Sequence, residues 1–274
     1  MSDAIATSAL PEHRSVLSFK NVTLSFGEQT VLEDISFRLA PGETRILLGP
    51  AGVGKSVLLK LADGLLEPDH GSIRLFGQAI SRLPEEALFP LRARTGMVFQ
   101  EGALFDSLTI RDNVGYQLVQ EEVATEEIDS RVREALRFVG LEHTFDLYPA
   151  SLSGGMRRRV AIARAFIHQP ELILYDSPTG GLDPVTSTQI IELIVKARDI
   201  NRTPSLLVTH RLQDAFTLST HRYDATLERM VPLPEGQTDP STTYMMLNDG
   251  RLIFDGTLSE LLGSNDPFVQ DFLA

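Results

Sequence analysis

The chain has 274 residues, 42% of them apolar, enough for one large domain or two small ones around a sizeable core. Its 25 Lys and Arg against 37 Asp and Glu give a formal net charge of -12, opposite in sign to what binding a phosphate backbone requires, so a general nucleic-acid partner is excluded as a first reading. With no cysteine, disulfides, thiol nucleophiles and cysteine-held zinc or iron–sulfur sites are excluded too.

Residues 1–15 show no periodicity and read as a flexible tail, without the basic start and apolar run of a signal peptide. Residues 16–26, rich in β-branched and aromatic side chains, predict a strand that Gly27 ends; residues 31–39 predict a second, stopped at Pro41-Gly42. A third strand over 44–48 runs into a glycine-rich turn, leucines at helical spacing follow over 56–65, and 72–76 is another short strand. Ile128, Val132, Ala135, Leu136 and Val139 form one stripe of an amphipathic helix over 125–139, with Gly140 as its stop.

The apolar runs 172–175 and 206–209 have the character of strands buried on both faces of a parallel sheet. Between them, Asp183-Pro184 is an N-cap and first-turn pair for a helix carrying Ile190, Ile191 and Ile194. Residues 223–243, with three prolines, read as an inserted surface loop, and a hairpin around Asn248-Asp249-Gly250 closes the pattern. Strands alternating with helices predict a parallel α/β core. No stretch approaches the roughly 20 apolar residues that span a bilayer, so any membrane role is expected to come through a partner.

Gly49-Pro50-Ala51-Gly52-Val53-Gly54-Lys55-Ser56 fits the phosphate-binding pattern G-x-x-x-x-G-K-[ST], and it stands between a predicted strand and a predicted helix. Glycines let backbone N–H groups curl around phosphates, Lys55 reaches the β and γ phosphates, and the Ser56 hydroxyl is a Mg²⁺ ligand. Asp176, at the end of Leu172-Ile173-Leu174-Tyr175, supplies the second anchor such a metal needs. A second anion-binding device follows from Leu152-Ser153-Gly154-Gly155-Met156, where a serine hydroxyl precedes a helix start.

These residues together resemble the ATP-binding cassette (ABC) family, with Ser153, Gly154, Gly155 and Met156 standing as its signature motif and Met156 in place of the usual glutamine. Over about 16–256 the landmarks run in the family's order. Phe26 matches the aromatic that stacks on adenine, Gln100 the Q-loop residue and a Mg²⁺ contact, Gly181-Leu182-Asp183 the D-loop, and His210 the switch histidine. The resemblance implies an α/β P-loop NTPase fold with a RecA-like parallel core, an antiparallel β subdomain and a helical signature subdomain over about 101–165, followed by a C-terminal segment over 257–274. It also implies a head-to-tail homodimer in which residues 49–56 of one copy and 153–156 of the other sandwich each ATP with Mg²⁺. Within the family, the run from Phe99 to Val114 that includes Gly102-Ala103-Leu104-Phe105-Asp106-Ser107-Leu108 is most similar to ATPases of Mce/Mla-type lipid transporters, as is the end, residues 266–273. That likeness implies an integral-membrane permease, an MCE-domain lipid-binding protein and a place on the cytoplasmic face of the inner membrane.

One position departs from the family. After Asp176 most members carry a glutamate that polarises the attacking water; here stands Ser177, whose hydroxyl can orient water but cannot take a proton at neutral pH. Three readings stay open: slow hydrolysis in which His210, with Lys55 and Gln100, carries catalysis; compensation by another carboxylate, Asp183 being the nearest along the chain; or a nucleotide-gated module with little turnover. The leading expectation is a slow but real ATPase serving lipid transport, with a transporter of another substrate as the alternative. An ABC protein acting on DNA or ribosomes is disfavoured, since the chain has no second cassette, long coiled-coil insertion or basic surface.

Overall fold

Strand β1 (Leu17–Phe26) and strand β2 (Gln29–Leu39) form an antiparallel hairpin, and β3 (Thr44–Leu48) leads into helix α1 (Lys55–Ala62). Strands β4 (His70–Leu75) and β5 (Gln78–Ala79) return to the hairpin, giving a four-stranded antiparallel sheet in the order β2-β1-β4-β5. After α2 (Glu85–Arg92) and β6 (Thr95–Val98) come α3 (Ile110–Gln120), α4 (Thr125–Phe138) and α5 (Gly154–Phe166). The chain then alternates through β7 (Leu172–Asp176), α6 (Pro184–Asn201), β8 (Ser205–Val208) and α7 (Leu212–Thr220). It finishes with β9 (His221–Asp224), β10 (Arg229–Pro232), β11 (Thr242–Asn248), β12 (Arg251–Gly256), α8 (Leu258–Leu262) and α9 (Pro267–Leu273). This is a computed structural model, and it describes residues 15–274. The expected tail over 1–15 lies, Ser15 apart, outside the described residues.

The larger sheet has the order β12-β11-β3-β8-β7-β6, parallel except for β12 at the edge. Its continuous apolar runs are explained by burial on both faces. Leu47, Leu172, Leu174, Leu206, Val208, Met245 and Leu247 join one core with the antiparallel sheet and α1. The residues between them, Ile46, Leu48, Ile173, Tyr175, Leu207, Tyr244 and Met246, join the other with α3 to α7. Each aliphatic side chain so buried contributes about 1.5–3 kcal/mol, which leaves no solvent-facing position for polar alternation to mark.

Helix α4 carries the expected stripe: Ile128, Val132 and Leu136 are buried, Ala135 packs beside them, and Gly140 takes a φ of 70° just past the helix. The 223–243 stretch differs from a plain loop. Its start completes the β9–β10 hairpin, which is fastened to α6 by Tyr223 N–H donating to Asp199 Oδ2 at 2.6 Å and Met230 N–H donating to Glu192 Oε1 at 2.7 Å. Strand β9 is mostly polar and β10 is only four residues ending in Pro232, so neither carries an apolar alternation long enough to announce it.

The sheet order positions the site. Ligands of open parallel sheets bind at the carboxyl ends of the strands. Strand β8 lies between β3 and β7, so the loop after β3, the residue after β8 and the end of β7 emerge side by side, with β3 and β7 about 10 Å apart.

Candidate functional site

Helix α1 begins without a side-chain cap: Gly54 occupies the N-cap with φ 107°, and its carbonyl accepts from Leu58 N–H at 3.0 Å. Among the described residues, the backbone N–H groups of Lys55, Ser56 and Val57 find no acceptor in the chain. That is an open anion cradle at the positive end of a helix. Gly49 fixes where the cradle lies. A Cβ there would run into the Leu247 carbonyl oxygen of β11, and its φ of 148° is one that other residues rarely adopt.

Lys55 is only 7% exposed and folds its ammonium back over the loop, donating to the carbonyls of Gly49 at 2.9 Å and Pro50 at 2.6 Å. Burial lowers its pKa, and the Asp176 carboxylate opposes the shift. Ser56 Oγ donates to Asp176 Oδ1 at 3.0 Å, joining positions 120 residues apart. A hydroxyl beside one carboxylate suits Mg²⁺, which takes oxygen ligands and is held by one or two protein groups plus substrate phosphates. Among the described residues no group of three or more His, Asp or Glu could hold a metal without such phosphates. The donor set and the empty hydrogen-bonding capacity of the cradle therefore fit a nucleotide with Mg²⁺.

Other expected site residues ring this centre. Ser177 follows β7 in a left-handed conformation, φ 44°, held by Ser177 N–H donating to Val208 O at 3.0 Å and by Gly180 N–H donating to Ser177 O at 2.9 Å. Gln100 is exposed, and its side chain lies against Gly180, where an added Cβ would stand 3.3 Å from Gln100 Nε2. His210 is exposed directly after Thr209, whose N–H donates to Leu47 O at 3.1 Å. Phe26, at the end of β1, is 52% exposed and has a ring free to stack on a planar ligand. Pro50, Ala51, Gly52 and Val53 complete the loop, with Ala51 and Gly52 exposed.

The signature residues lie elsewhere in the same copy. Ser153 caps α5, accepting from Met156 N–H at 3.2 Å, and both Ser153 and Gly154 are exposed. Gly155 is buried against α6, where a Cβ would overlap Thr186 Cγ2. Asp183 is the N-cap of α6 as expected, accepting from Thr186 N–H at 3.0 Å. Signature and D-loop thus form one exposed corner. Among the described residues, no hydrogen bond or ion pair joins residues 153–156 to residues 49–56. The structure therefore brings Lys55, Ser56 and Asp176 together and leaves Ser153 facing outward.

Asp183 is poorly suited to replace the missing glutamate within its own copy. Its hydrogen bonds with Thr186 hold its carboxyl below the usual carboxylate range, making it a weaker base.

Sequence reasoning missed two arginines. Arg158 donates to the carbonyls of Phe99, Ser177 and Gly180, and Arg211, next to His210, donates to Thr179 O at 3.3 Å, Leu182 O at 3.4 Å and Ser187 Oγ at 2.9 Å. Arg157-Arg158-Arg159 did carry a signal. Cations near a helix N-terminus oppose the helix dipole, so a buried one there needs a specific partner.

A family profile described as ABC transporter matches residues 32–180, more than half of the chain. The chain belongs to the ABC transporter family. Among curated relatives, the intermembrane phospholipid transport system ATP-binding protein MlaF of Haemophilus influenzae is 32% identical over 262 residues, covering 95% of this chain and 91% of its own. The probable ribonucleotide transport ATP-binding protein mkl of Mycobacterium leprae is 36% identical over 258 residues, covering 94% of this chain and 68% of its own. Among solved structures, the dimeric, post-hydrolysis ATP-binding cassette MJ0796 bound to ADP and Pi superposes with a TM-score of 0.73 at 28% identity, covering 88% of this chain and 98% of that one. As an ABC ATPase, this chain is an ATP hydrolase with the cassette fold.

Proposed function

We propose that this ABC ATPase works as a homodimer on the cytoplasmic face of a membrane, powering movement of a phospholipid or related hydrophobic molecule through a separate integral-membrane permease, with an MCE-domain protein as the lipid-binding component. Residues 49–56 bind the ATP phosphates, Lys55 meets the β and γ phosphates, and Phe26 stacks on the base. Ser56, Asp176 and Gln100 hold Mg²⁺, which when bound neutralises charge developing on the phosphates. Ser153, Gly154, Gly155 and Met156 of the second copy close over the γ-phosphate, while Asp183 lies across the dimer contact. Water is oriented by Ser177, Gln100 and His210, with no strong base among them, so turnover is slow.

The observation that carries the dimer is the outward face of Ser153 and Gly154, together with a nucleotide cradle that they do not cover within their own copy. A permease fits the absence, among the described residues, of any helix long and apolar enough to cross a membrane. It also fits the surface after Gln100. There the buried Asn113 accepts from Phe105 N–H at 2.7 Å and donates to the carbonyls of Phe105 and Thr109, each at 3.0 Å, pinning the 105–109 turn. The turn leaves Phe105 46% exposed with its ring 5.0 Å from that of Tyr116, an apolar pair of the kind that anchors a partner helix.

Lipid cargo is supported by the Haemophilus influenzae relative and by the 99–114 run; the Mycobacterium leprae relative favours a second reading, the same machine serving another substrate. Affinity purification from native membranes in mild detergent is expected to bring down a multi-span permease with co-purifying phospholipid, identified by mass spectrometry. Recovery of the chain with no permease contradicts the proposal, and a permease carrying a polar solute in place of lipid favours the second reading.

A further inference from the structure

Arg158 lies in α5, which opens with the signature motif, and only 6% of it is exposed. Among the described residues no carboxylate forms an ion pair with it. Its partners are three backbone carbonyls: Nη1 donates to Phe99 O at 3.3 Å and Ser177 O at 3.4 Å, and Nη2 donates to Gly180 O at 3.2 Å. Burial lowers its pKa, with Glu101 and Asp176 drawing it back by charge. A buried guanidinium held only by long bonds to neutral carbonyls recovers little of its desolvation cost, so a hydrophobic residue of similar volume would serve the core as well.

The arrangement does what an apolar side chain cannot. Phe99 immediately precedes Gln100, Ser177 follows the metal-site Asp176, and Gly180 lies against the Gln100 side chain. One planar, forked cation thereby fastens the strand end bearing Gln100 to the turn bearing Ser177. A lysine has a single point of charge and cannot span carbonyls on both sides.

We propose that Arg158 is a positioning residue for ATP hydrolysis, its guanidinium holding the 177–180 turn in register with Gln100 so that the side chain at position 177 is aimed at the attacking water. This rests on the reading of position 177 and Gln100 as neighbours of that water.

The test compares the parent chain with Ser177→Glu, Arg158→Met, Arg158→Lys and the doubles carrying Ser177→Glu, measuring kcat and KM for ATP, equilibrium affinity for MgATP, and Tm. Arg158→Met and Arg158→Lys are expected to lower kcat by about 10- to 100-fold, as misplacement of reacting groups by up to about 1 Å does, while KM and MgATP affinity stay within about twofold. The gain from Ser177→Glu is expected to shrink by a similar factor when Arg158 is replaced. An undiminished Ser177→Glu gain in both Arg158 backgrounds overturns the proposal. So does a loss of MgATP affinity and Tm that parallels kcat in both single variants, since Arg158 is then only holding the core. If Ser177→Glu gives no gain in the parent, the role of position 177 falls, and the kcat-against-KM split at Arg158 decides its positioning role separately.

Discussion

Replacing Ser177 by glutamate is expected to raise ATP turnover by about 10²-fold, the low end of what a positioned general base supplies. The backbone is ready for the change. Ser177 already occupies a left-handed conformation at φ 44°, and its N–H and carbonyl are both engaged, so exchanging one non-glycine residue for another adds little strain. A serine hydroxyl stays protonated across the working pH range, whereas a carboxylate accepts the proton of the attacking water. The alternative base, Asp183, is committed to capping α6, with its carboxyl held below the ordinary range by Thr186. Multiple-turnover phosphate release on the parent, Ser177→Glu and Ser177→Ala checks this. Ser177→Ala is expected to be slower than the parent, because it removes the hydroxyl that orients the attacking water and supplies no base. A Ser177→Glu chain as slow as the parent contradicts the missing-base account.

Replacing Lys55 by methionine is expected to lower turnover by about 10²–10³-fold, the effect of removing one preorganised group from charge that develops in the transition state. Methionine keeps an unbranched stem of similar length, so the packing of α1 beneath the loop is largely retained. What is lost is the ammonium that donates to Gly49 O and Pro50 O and lies within the field of Asp176. Those two carbonyls hold it over the loop before any nucleotide arrives, so little ordering remains to be done on binding. Measured in the faster Ser177→Glu background, the loss has room to register. Full activity in the Lys55→Met variant contradicts the assignment of the cradle.

Much of this site is written locally in the chain. The residues of β3 and the start of α1 spell out the cradle, because strand, glycine turn and helix N-terminus each have their own residue chemistry. Asp183 as the cap of α6 was legible for the same reason: an aspartate before Pro184 satisfies a free N–H of the first turn. Elements with conflicting local signals were not. Helix α2 contains Pro90, which argues against a helix, and β6 is four residues with a glycine second. Arg158 was visible as a residue but not as a tie, since its partners are carbonyls 19 to 59 positions away and carry no side-chain pattern. The outward face of Ser153 likewise depends on how α5 packs on α6, through the contact of Gly155 with Thr186, and not on the signature residues themselves.

If each copy holds two complementary half-sites, nucleotide should drive two copies together, and the lack of a base at position 177 should keep them there. Light scattering of the purified chain with and without MgATP measures this directly. The account predicts the mass of one chain without nucleotide and twice that mass with MgATP. A parent chain that stays at the single-chain mass at saturating MgATP, or a dimer that forms equally well without nucleotide, would contradict it.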